Sequence, residues 1–253
     1  MTLFTQHEHR LLYDLNESSH QPNPALEAVY RRLFDLQQAV NQSIKKSQLE
    51  LHRGKPALDA VEVGSVSSLA PEKALSVGFS RSEELSLTVQ RVLGRDVVDA
   101  ALKPRLHPVI ELRLTPDHFV VELIVAPEAR QDQENFAGKI SIDQHRRQLY
   151  KMLKHYDTNY CIGFWAGTHL DDMHLTTTKL PPPQIFFEYL ETFAVNRDYL
   201  RIGCWYAPEE LDAQNAKSEI MARIKELYNV YQFALWSSNN NFVEFFRKGV
   251  KVK

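Results

Sequence analysis

The chain has only two cysteines, Cys161 and Cys204, in 253 residues. Two thiols are too few for a disulfide scaffold or a four-thiolate zinc site, and they fit a reducing cytoplasm, the compartment expected here. Glycine is scarce as well, with nine residues, so a glycine-built phosphate cradle is hard to place. No phosphate-binding Gly-rich loop, Gly-x-Ser-x-Gly elbow, His-Glu-x-x-His or Cys-x-x-Cys occurs. Charge of one sign is also lacking. Thirty Lys and Arg face 32 Asp and Glu, for a formal net charge of −2. No whole-molecule field therefore draws the chain to nucleic acid or anionic lipid. No run approaches the ~20 apolar residues of a membrane span. The start, Met1-Thr2-Leu3-Phe4-Thr5-Gln6-His7-Glu8, has neither the basic nor the apolar region of a signal peptide. A soluble protein with no membrane insertion is expected.

What is present is the composition of a folded protein: 43 % hydrophobic and 25 % charged residues, which argues against wholesale disorder. The length suits one large domain or two small ones. Leu3 to Asn16 reads as a short helix or arm, and the polar stretch 17–24 as a linker. Pro24 then opens a helix whose apolar positions, Leu26, Val29, Tyr30, Leu33, Leu36 and Val40, follow helical spacing to about Leu51. Residues 1–55 are expected to form an N-terminal helical arm or cap, and residues 56–253 an α+β core.

Within that core, 56–72 reads as loop, Ala74–Phe79 as a strand, and the segment after Ser82 as a capped helix ending near Gly94. A second short helix is expected over 96–103. The clearest element is a β-hairpin from His107 to Val125. Ile110, Leu112 and Leu114 alternate with Val109, Glu111 and Arg113, and Phe119–Val125 is strongly β-forming. Helices are expected over Ser141–Tyr156 and Gln184–Val195, and strands over Asn159–Trp165 and Tyr199–Tyr206. A loop is expected from about 167 to 182. A long helix should start at Pro208, with Glu209, Glu210 and Asp212 in its first turns. Phe242–Phe246 reads as a last strand before a basic tail.

Ile162-Gly163-Phe164-Trp165 echoes Ile202-Gly203-Cys204-Trp205. The echo implies two similar helix–strand units, joined by a right-handed crossover if their strands run parallel. Matched strands put Gly163, Trp165, Gly203, Trp205 and Cys161 on one face and Cys204 on the other, which disfavours a disulfide. The fold expected is α+β: a central mixed sheet with a β-hairpin and two helix–strand units, flanked by helices.

Three constellations carry candidate chemistry. His169, Asp171, Asp172 and His174 sit just beyond a predicted strand and are the candidate ligands of a divalent metal. In the hairpin, a two-residue Pro116-Asp117 turn sets Glu111 opposite Glu122. Two facing carboxylates repel, so they need a cation, a proton or solvent, and Arg113 lies on the same face. The functional reading is an acid–base or metal-assisted pair; the default is a solvated outer sheet face. The helix around 139–155 carries Arg146, Arg147, Lys151 and Lys154, candidates for contact with nucleic-acid phosphates. The aromatic residues at helical spacing, such as Tyr228 and Tyr231, are expected to be core.

The leading functional expectation is a binding or regulatory subunit of a complex with a protein partner. A metal-dependent hydrolase acting on phosphodiesters is the alternative, and non-catalytic nucleic-acid binding a further one.

Overall fold

The computed structural model describes residues 2–13, 24–54, 65–68, 74–92, 105–170 and 173–242. The expected short helix at 96–103, the linker before Pro24, and the last strand and basic tail beyond Phe242 lie outside the described residues.

The fold is α+β. Its described strands are β1 (His52–Arg53), β2 (Leu75–Ser80), β3 (Val109–Leu114), β4 (Phe119–Val125), β5 (Cys161–Gly163), β6 (His174–Thr176) and β7 (Leu200–Tyr206). They form one sheet in the order β1-β2-β3-β4-β7-β5-β6. Every ladder is antiparallel, where a mixed sheet was expected. The reason lies in β6. The sequence reads as loop there, because three half-exposed residues give no alternation. That extra strand reverses the chain once more, so β7 returns antiparallel to β5 and no right-handed crossover joins them.

Seven described helices accompany the sheet: α1 (Gln6–Arg10), α2 (Pro24–Lys46), α3 (Glu83–Val92), α4 (Arg130–Ile140), α5 (Asp143–Lys154), α6 (Pro183–Glu191) and α7 (Ala216–Ala234). Thr5 and Glu8 close a reciprocal capping box on α1. Pro24 takes the first position of α2, where its missing N–H costs nothing. Helix α7 crosses β3, β4 and β7, α2 lies beside it over β1 and β2, and α4 and α5 pack on α7. Alternation along the strands sends Leu75, Val77, Phe79, Ile110, Leu112, Leu114, Val121, Leu123 and Ile202 to this helical face. Leu26, Val29, Leu33, Val40 and Ile44 of α2 join the same core. Each such buried side chain contributes about 1.5–3 kcal/mol, so α2 is packed into the main core.

Helix α7 begins at Ala216, not Pro208. Glu209 takes a left-handed backbone (φ 70°). Glu210 and Asp212 accept from the backbone N–H groups of Ala207 and Gln214, at 2.7 Å each. These acids stabilise turns ahead of the helix rather than its first turn.

Helix α4 had no signature in the sequence, because its inner face is polar. Asp132, Gln133, Asn135 and Lys139 are buried beside Phe136. Asn135 and Lys139 close the C-terminal end of α7. Asn135 donates to the carbonyls of Ala234 and Leu235 (3.1 Å each), and Lys139 to that of Phe233 (2.8 Å). They satisfy carbonyls that a helix end leaves without partners.

Candidate functional site

The opposite face of the sheet carries the hairpin's charges. Thr115 shapes the β3–β4 turn: its Oγ1 accepts from the N–H of His118 (2.9 Å), and its own N–H donates to the His118 carbonyl (2.9 Å). The two-residue loop sets Glu111 directly opposite Glu122, as the sequence predicts. The face itself differs from the default expectation, for it is closed to solvent. Glu111, Arg113, Glu122 and Arg201 are between 0 and 1 % exposed.

The cover comes from two distant segments. Ser65 Oγ donates to Glu111 Oε2 (2.6 Å) and the Val66 N–H to Glu111 Oε1 (3.0 Å). Gly167 N–H donates to the Ser67 carbonyl (2.9 Å), and Ser67 Oγ donates back to the Gly167 carbonyl (3.1 Å). Val66 packs on a small second cluster of Ile124, Ala126 and Tyr199.

Beneath this clasp the charges neutralise one another. Arg113 donates through Nη1 to Glu111 Oε2 (2.8 Å) and through Nη2 to Glu122 Oε2 (2.9 Å). Arg201, from β7, donates to the same Glu122 oxygen through Nε (3.1 Å) and Nη2 (2.6 Å), and to the Gly167 carbonyl through Nη1 (2.6 Å). Its guanidinium lies 4.3 Å from the ring centroid of Trp165 and 5.6 Å from that of Trp205. Gly203 is required here, since a Cβ would stand 2.6 Å from that of Glu122. Burial alone would push the Glu122 carboxyl up; Arg201 and Arg113 beside it outweigh that and hold it below its ordinary value. Burial likewise works against the Arg113 charge, and Glu122 and Glu111 reverse the balance.

The place a metal ion would take between the facing carboxylates is thus filled by a guanidinium. Both acids already accept from donors, a poor arrangement for a general base that must take up a proton. One oxygen, Glu122 Oε1, has no hydrogen-bond partner among the described residues.

The other candidates fall elsewhere. His169 is 74 % exposed at its side chain, with Nδ1 3.8 Å from Asp117 Oδ2. His174 lies on edge strand β6, opposite Gly163. Asp171 and Asp172 lie outside the described residues. Among the described residues, no three His, Cys, Asp or Glu side chains come together to hold a metal ion. Cys161 and Cys204 are free and buried on opposite faces, as their register predicts. Burial pushes their thiols up to about 11 and about 12, so neither is a thiolate nucleophile at neutral pH.

Helix α5 supplies the basic surface. Leu149 and Leu153 face the core, leaving Gln144, Arg147, Lys151 and Lys154 exposed. Arg146 pairs with Asp143 and Glu191 (3.2 Å each) and sits 4.8 Å over the Phe187 ring. Arg147 pairs with Asp143 (2.6 Å). Lys151 and Lys154 make no ion pair among the described residues. Open grooves flank the helix: one of about 710 Å³ toward α7, and one of about 740 Å³ toward α6.

Sequence reasoning missed Arg201, Ser65 and Ser67 of the charge layer. An arginine inside the otherwise apolar run Leu200-Arg201-Ile202 was the available signal. It also missed a second buried group, in which Asp132 Oδ1 accepts from Arg81 (2.5 Å) and from the Trp236 N–H (2.7 Å), with His107 3.9 Å from Oδ2.

Among the described residues no helix is long and apolar enough to cross a membrane. No protein-family model matches this chain, and a search of curated proteins finds no similar sequence.

Proposed function

We propose that this protein is a binding or regulatory subunit of a protein complex and that it meets its partner through the exposed side of α5. The observation that carries this reading is the arrangement around that helix. A cationic ridge stands in solvent between two open grooves, and Lys151 and Lys154 make no ion pair among the described residues. The buried acids support the same reading from the other side, since Glu111 and Glu122 are engaged by Arg113 and Arg201. Residues 1–55 are a weaker choice for the contact, because the inner side of α2 is already buried in the core.

The test is gentle purification of the tagged full chain from its native cells, with and without nuclease, followed by mass measurement of the eluted particle. A stoichiometric protein partner that survives nuclease is expected. A chain that elutes alone in both preparations overturns the proposal.

A further inference from the structure

The α5–α6 groove has a definite chemistry. Among the described residues its walls carry Arg147, Lys151, Lys154 and His155 and no acid; its apolar lining comes from Tyr150, Pro183 and Phe187. Arg147, Lys151 and Lys154 follow helical i, i+4, i+7 spacing, so they fall in one row about 10 Å long. Carboxylates border the row. Asp143, Glu188 and Glu191 line the groove beyond Arg147, and Glu226 lines the one toward α7. A nucleic-acid backbone needs a cationic track that continues along its phosphates. Among the described residues this one spans only about 10 Å and is bordered by carboxylates, a length that suits a short anionic segment.

We infer that the groove receives a short acidic segment of a protein partner, with carboxylates set against Lys151, Lys154 and Arg147 and one apolar side chain seated over Tyr150 and Phe187. The inference deepens the binding reading above and rests on it. Acidic side chains on a partner helix at i and i+4 repeat about every 6 Å, which is the spacing of Arg147 and Lys151. The cations set partner choice and encounter rate, and the apolar lining supplies an anchor.

The test is fluorescence anisotropy on the full chain with three labelled probes: a short peptide alternating glutamate pairs with leucine, the same peptide with glutamine for glutamate, and a single-stranded oligothymidylate. The glutamate peptide is expected to bind. The glutamine peptide, or a Lys151→Glu/Lys154→Glu variant, should weaken binding by about tenfold or more. Both lysines are exposed, so the variant's melting curve should match that of the parent. Absence of peptide binding, indifference to the charge reversal, or tighter binding of the oligothymidylate overturns the inference. If the native complex is recovered intact from the Lys151→Glu/Lys154→Glu variant, the groove is not the docking site and the binding reading stands. If no complex is recovered from the parent chain, the binding reading itself fails.

Discussion

Glu111 and Glu122 face each other across the β3–β4 ladder, and neither reaches solvent. Such a pair exists only because Arg113 lies between the carboxylates. Replacing Arg113 with methionine keeps much of the volume and leaves two buried negative charges against the single guanidinium of Arg201. Breaking a buried ion pair from one side costs about 3–5 kcal/mol. Chemical denaturation should show a loss of that size for Arg113→Met. Arg113→Lys should also lose stability, because a point-like ammonium lacks the fork that reaches both acids. An unchanged denaturation midpoint would mean that the layer contributes nothing to the fold.

Acid should weaken the protein before its carboxylates titrate. Burial holds the His107 imidazole below its ordinary 6.5, against the pull of Asp132, and burial also lowers His9 and His118. Above about pH 7.5 these rings are neutral in both the folded and the unfolded chain, and stability does not depend on them. Below it, the unfolded chain takes up protons that the folded chain refuses, so stability falls. The urea midpoint should drop between about pH 7.5 and about pH 5.5, and His107→Gln should flatten part of that slope. A midpoint that rises on acidification would contradict the sign.

Lys139 should matter to α7 although it lies on another helix. Its ammonium donates to the Phe233 carbonyl and to Asn240 Oδ1 (2.6 Å), and Asn240 in turn donates to the Gln232 and Leu235 carbonyls. Lys139→Met leaves buried acceptors without donors, at about 1–3 kcal/mol. For a chain of this size that lowers the melting temperature by about 2–4 °C per kcal/mol. Hydrogen exchange should quicken first in the last turns of α7; uniform quickening would point to a global effect instead.

The two cysteines should be silent toward a thiol reagent in the native state. Both are buried, and their thiols are held protonated at neutral pH. Ellman's reagent should report close to no reactive thiol until denaturant is added, and both after it. A native Cys161–Cys204 crosslink in mass spectrometry would contradict the strand register.

How much of this was legible in the sequence follows from where each signal lives. The hairpin and its register could be read because apolar and polar residues alternate locally and Pro116-Asp117 marks the turn. The burial of Glu111 and Glu122 could not, because the segments that cover them, Ser65–Ser68 and the Gly167 region, are remote in the chain and carry no hydrophobic pattern. Helix α5 was legible through Leu149 and Leu153. Helix α4 was not, because hydrogen bonding rather than apolar packing occupies its inner face. Of the candidate site residues, Arg146 and Arg147 proved to be partly engaged by Asp143 and Glu191, which sequence spacing shows only for the helix's own acid.

The charge layer also has a consequence for how the sheet assembles. The hairpin brings two carboxylates but one guanidinium, so on its own it carries an uncompensated negative charge. The missing positive charge arrives with Arg201, 79 residues beyond Glu122. A slip of one residue between β4 and β7 would turn Arg201 into the apolar helical face and leave Glu122 half neutralised. The four charges therefore act as a key to strand registration, admitting β7 beside β4 in one alignment and penalising its neighbours.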